Sequence, residues 1–236
     1  MNLIEQIFNF KKRKLQKLIL GSFFVSFAIV LSQINKFCPI FFNKSLYTEN
    51  NYFCYWYFPF FMMSLFFDFS SHLFFLLFYC FIDIFVYSSE RYLFQIQFLT
   101  NNYLNKPQVI LLFYMIFFGT IIPVLSYSLT SFFTFFIKKN IKKNFLFLFI
   151  IILIQTISRF FCGFLCYWGP NTKYYFILRN NINIFNKSLK SSLFYYSFMF
   201  FWNFLPILIS NLILFILFSI FKSFILKNFK FYWLSK

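Results

Sequence analysis

The chain places its lysines between stretches of almost unbroken apolar sequence, and that alternation decides what it can fold into. Residues 18–34, 53–67, 72–88, 108–137, 144–168 and 193–221 are nearly devoid of charge, whereas 11–17 (KKRKLQK), 138–143 (KKNIKK) and 222–236 hold most of the lysines. In hydrocarbon every backbone N–H and C=O must find its partner within its own segment, so apolar runs of about 17–25 residues read as membrane-crossing helices. Threading six of them from a cytoplasmic N-terminus brings all three lysine clusters to the cytoplasmic side, as the positive-inside bias favours. The expected fold is an all-α integral membrane protein, a single domain over residues 1–236, with six transmembrane helices and both termini cytoplasmic.

Composition narrows the function. Apolar residues make up 61% of the chain and charged residues 11%, against about 25% charged in soluble domains. The 48 Phe, with abundant Asn, Lys, Tyr and Ile, are what AT-rich coding supplies by default and need no aromatic binding surface. The net charge of +17 flanks the spans where anionic lipid attracts it, so the lipid bilayer, and not nucleic acid, is the expected partner. Cys38, Cys54, Cys80, Cys162 and Cys166 form no CxxC pair, and with a single His72 they provide no metal pattern. No G-x-x-x-x-G-K-[ST] loop is present to cradle phosphates. Neither catalysis nor a cofactor is expected.

Along the chain, helix 1 carries Gly21, Ser22, Ser26, Ala28 and Ser32. Ser22-x-x-x-Ser26 is a small-residue spacing that lets another helix approach closely in lipid. The segments 35–52, 89–107 and 169–192 are expected outside, and Asp68, Ser70, Ser71 and His72 suit a tight cytoplasmic turn. Gly119 and Pro123 predict a kink in helix 4. In helix 5, Arg159 shares a face with Cys162, Gly163, Cys166 and Tyr167. A buried arginine costs about 2.5–3.5 kcal/mol at a span's centre, so Arg159 either reaches the outer interface, about 13 Å away, or sits in a polar cavity. Helix 6 opens with Tyr195, Tyr196 and Ser197, followed by Trp202, Asn203 and Pro206. Its rings suit interface anchoring, and the Asn203 amide offers both a donor and an acceptor.

Four passages in order then resemble one family: SFAIVLSQI (26–34), YFPFFMMSLFFDFSSHLFFLLFYCFID (57–83), QVILLFYMIFFGTIIPVLSYSL (108–129), and SRFFCGFLCYWGP (158–170) with YYSFMFFWNFLPILI (195–209). They look like the thiamine-type S component of energy-coupling factor transporters, a six-helix membrane protein that captures a vitamin. The resemblance implies a pocket in the outer half, holding ligand with Tyr114, Arg159, Tyr167, Trp168, Tyr196 and Asn203. It also implies that Ser22 and Ser26, in place of an A-x-x-x-A face, dock on the coupling transmembrane subunit, while partner ATPase subunits hydrolyse ATP. The localisation implied is the cell membrane.

The chain also departs from that pattern. Phe113 stands where the family has an acidic residue, Arg159 where it has a histidine, and Tyr167 or Trp168 where it has a tryptophan. Tyr196 and Ser197 match, and Asn203 falls about two residues late. Exchanging a carboxylate for a cation disfavours a cationic ligand and favours an anionic or neutral polar one. The alternative class is an organelle-encoded subunit of a respiratory or ATP-synthase complex in the mitochondrial inner membrane, where Arg159 would serve a proton path or a buried ion pair.

Overall fold

A computed structural model describes residues 3–37, 54–87, 108–136, 141–167 and 192–228. The segments 38–53, 88–107 and 168–191, including Trp168 and nearly all of the three expected outer loops, lie outside the described residues. The main helices among the described residues are, in order, α1 (Leu3–Phe37), α2 (Phe58–Met63), α3 (Phe69–Ile82), α4 (108–136), α5 (Ile141–Tyr167) and α6 (Ser192–Asn228). No strand occurs among the described residues. Among the described residues, five stretches are long and apolar enough to cross a membrane: Lys14–Ile34, Phe69–Val86, Val109–Phe133, Asn144–Cys166 and Asn203–Lys222. Only 22% to 33% of the most apolar window in each is buried within the chain. Phe23, Phe74, Phe81, Leu146 and Ile220 instead stand on the surface. Such an apolar exterior suits lipid and is far beyond what a water-soluble surface carries.

The expected span at 53–67 takes a different form. It consists of a three-residue 3₁₀ turn (Tyr55–Tyr57) and the six-residue α2, which together advance about 15 Å, half the thickness of a bilayer core. Pro59, Phe60, Phe61, Met62 and Met63 are all buried. Their apolarity serves the interior of the bundle. Phe60 meets Tyr79 of α3 edge-on at 4.8 Å, and Phe61 meets Tyr127 of α4 at 5.5 Å and Phe218 of α6 at 6.0 Å. Aromatic edges and faces of this kind add packing energy to simple burial.

Side-chain contacts fix the directions of the helices. Lys17 Nζ lies 3.2 Å from Asp68 Oδ1, so α3 starts at the lysine end of α1 and runs parallel to it. The Cβ that an alanine would carry at Gly21 overlaps the Phe75 ring, so the two helices are in intimate contact one turn further on. His72 Nδ1 is 2.8 Å from Ser131 Oγ, and Phe69 stacks near Phe132, which brings the end of α4 to the same level. Phe132 against Phe147, and Phe145 against Phe215, place the start of α5 and the last third of α6 there too. The lysine end of α1, the end of α4, the start of α5 and the last third of α6 thus lie toward one end of the bundle. The three lysine clusters were expected together for reasons of charge, and the packing brings their helix ends together.

His72 corrects a detail. It is not in a turn but is fully buried within α3. The turn residue is Asp68, which caps α3 by accepting from Ser71 N (3.4 Å) and Ser71 Oγ (2.8 Å).

Candidate functional site

The kink expected in α4 is a change of helix type. Regular helix over Gln108–Ile116 widens into a π turn at Phe117–Ile121, resumes over Ile122–Leu125, tightens into a 3₁₀ stretch at Ser126–Thr130 and ends as Ser131–Phe136. Pro123 has no N–H to give to the preceding turn, so the ladder must widen there. The irregular backbone leaves carbonyls that neighbouring helices satisfy. Ser158 Oγ donates to Phe118 O at 2.7 Å, and Gln155 Nε2 donates to Pro123 O at 3.1 Å and to Ser126 Oγ at 3.0 Å. Gly119 lets α5 come close, since a Cβ there would stand 3.3 Å from Cys162 Sγ.

Gln155 continues the network into α6. Its Oε1 accepts from Asn211 Nδ2 at 2.8 Å, and the same Nδ2 donates to Ile207 O at 2.9 Å. Next to Asn211, Ser210 Oγ accepts from Cys54 N at 3.1 Å and so holds the start of the α2 segment. These groups surround a small cavity, walled by Cys54 and Tyr57 before α2, Tyr127 of α4, Gln155 and Arg159 of α5, and Pro206, Ile207, Ser210 and Asn211 of α6. Its volume is about 10 Å³, the room of one water-sized group.

Arg159 supplies the charge. Its guanidinium is within hydrogen-bonding reach of the Cys54 thiol, and Tyr57, Tyr127 and Cys162 are its other electrostatic neighbours. Among the described residues it makes no ion pair. It lies one turn beyond Gln155 and about 10 Å short of Cys166, whose Sγ meets Leu111 O near the opposite end from the lysines. Arg159 lines the small cavity and is partly buried. A charge in such a place tends to mark function, because it costs free energy until something pairs with it.

The other residues expected at the site are distributed differently. Tyr114 packs beside Leu111, Met115 and Cys162 with its ring 6.4 Å from Phe118, and it does not line the cavity. Asn203 is partly buried, about two turns along α6 from Ser210, and is not on the cavity wall either. The side chains of Tyr167 and Tyr196, like Trp168, lie outside the described residues. Ser22 and Ser26 are exposed on the outer side of α1. Sequence reasoning passed over Gln155, Ser210, Asn211, Tyr57 and Tyr127. Gln155 and Asn211 had a signal, since an amide in mid-span must be hydrogen-bonded by another helix or by a ligand.

No family model matches the chain, and no curated protein or solved structure matches it.

Proposed function

We propose that the chain is the substrate-capture subunit of a membrane importer, of the S-component kind, and binds a small molecule with an anionic or neutral polar group at Arg159. The observation that carries this reading is the guanidinium in a polar cavity with no carboxylate partner among the described residues. A desolvated guanidinium binds acceptor oxygens by short, charge-assisted hydrogen bonds, and bidentately where the acceptor is planar. Tyr57 and Tyr127 supply aromatic walls. On this reading the lysine end is cytoplasmic, the cavity sits in the outer half, and the exposed Ser22–Ser26 face docks on a coupling subunit whose ATPases drive transport. The present cavity admits only the tip of a ligand, so capture requires the walls to part. The 3₁₀ stretch of α4 borders it through Tyr127 and is the element suited to yield. Binding then acts by favouring the opened arrangement.

The test is equilibrium binding to the purified protein of a vitamin panel spanning cationic, neutral and anionic members, thiamine included. An anionic or neutral member should bind more tightly than thiamine. Arg159→Ala should weaken it about tenfold or more, and Arg159→Lys less, in keeping with the loss of a charge-assisted bond. Thiamine binding most tightly and unaffected by Arg159→Ala would overturn the assignment of Arg159.

A further inference from the structure

Asn211 has an acceptor that the described protein leaves unused, on the cavity that also receives Arg159. The orientation of the amides follows from their partners. Pro123 and Ile207 present carbonyl oxygens, which only accept, so Gln155 Nε2 and Asn211 Nδ2 must be the atoms that face them. With Nε2 committed, Gln155 turns Oε1 toward Asn211 and takes the second Nδ2 hydrogen. Flipping the Asn211 amide would set oxygen against oxygen at both contacts. Asn211 Oδ1 is therefore a buried acceptor without a donor, on a residue only 1% exposed. Leaving such a group unpaired costs its desolvation, and a bound donor recovers that cost.

One cavity thus borders an unpaired cation, rich in donors, and an unpaired neutral acceptor. We infer that its ligand is a small carboxylate that also bears a neutral donor, a hydroxyl or an N–H, with the carboxylate on Arg159 and the donor on Asn211 Oδ1. A ligand ammonium is disfavoured, because the cavity wall has no carboxylate and Arg159 repels a second cation. This class rests on the capture reading of Arg159 and narrows it.

The test uses the full chain in lipid nanodiscs and a matched pair of probes, para-hydroxyphenylacetate and para-methylphenylacetate, which differ only in a hydroxyl replaced by a methyl. The cation para-hydroxybenzylamine is the third probe. The hydroxy acid should bind about tenfold more tightly than its methyl partner, and the amine should bind most weakly. Asn211→Ala should bring the ratio of the two acids toward unity, while Arg159→Gln should weaken both acids alike. Equal binding of the two acids, or a ratio unmoved by Asn211→Ala, would overturn the donor pairing and leave the Arg159 site standing. If neither acid binds, or both are indifferent to Arg159→Gln, the capture reading fails together with this one. Should Asn211→Ala not fold, the comparison of the two acids on the unaltered protein still decides.

Discussion

Gly21 sets how closely α1 and α3 approach. Because an added Cβ would overlap the buried Phe75 ring, Gly21→Ala forces that ring aside in a filled interior. Overpacking of this kind costs about 1–3 kcal/mol. Thermal unfolding in detergent should show the loss, and adding Phe75→Leu should recover part of it, because the two sites are coupled through one contact. The small residues of α1 do not share one face. The structure divides them: Gly21 and Ala28, two turns apart, face inward, whereas Ser22 and Ser26 face outward. Composition shows that small residues are present, but only the position of Phe75 tells which face uses them. At Asp68, burial raises the carboxyl pKa, but hydrogen bonds from Ser71 and Lys17 outweigh it and hold the value below the usual carboxylate range. A carboxyl depressed in the folded state contributes stability above its unfolded pKa, and that contribution is lost as pH falls through the lower folded value. Lowering pH through the acidic range should therefore loosen the α1–α3 contact, and Asp68→Ala should remove that part of the pH dependence. The effect is small, since the pair is more than half exposed.

Gln155 ties three helices together, reaching α4 through Pro123 and Ser126 and α6 through Asn211. Gln155→Leu removes both donors and the acceptor in one step and should destabilise the bundle by about 1–3 kcal/mol. Ser219→Ala removes only an exposed bond within α6, to Phe215 O, and should change stability by less than about 0.5 kcal/mol. Unfolding of the two variants under the same detergent conditions makes the comparison. The elements themselves were largely legible. The expected spans 72–88, 108–137 and 144–168 begin or end within a few residues of Phe69–Val86, Val109–Phe133 and Asn144–Cys166. The run 53–67 was misread because hydropathy does not distinguish a side chain against lipid from one against other helices, and Phe60, Phe61 and Met63 meet helices. At the site, Arg159 was legible because a charge in a span is conspicuous. Gln155 and Asn211 carried only the general signal of an amide in mid-span, because which partners it meets is decided by the fold.

At the scale of the whole molecule, the Lys17–Asp68 pair carries a consequence for topology. From Lys17, α1 rises about 30 Å to Phe37, and yet Asp68 is back at the level of Lys17. Within the described residues only the 3₁₀ turn and α2, together too short to span, precede Asp68 on this return. Among the described residues five stretches are long enough to span, and α3 begins at the same end of the bundle as the lysine end of α1. If the lysine end is cytoplasmic, single cysteines placed in a Cys-free variant at 11–17, 138–143 and 222–236 should resist an impermeant thiol reagent in intact cells, and cysteines at 45 and 180 should react. Ser70 is the sensitive position, being exposed at the start of α3. Ser70→Cys should be protected along with the lysine clusters, and should become reactive once the membrane is permeabilised. Protection at 11–17 with labelling at Ser70→Cys in intact cells would separate Asp68 from Lys17 across the bilayer and break the pairing that sets α3 beside α1.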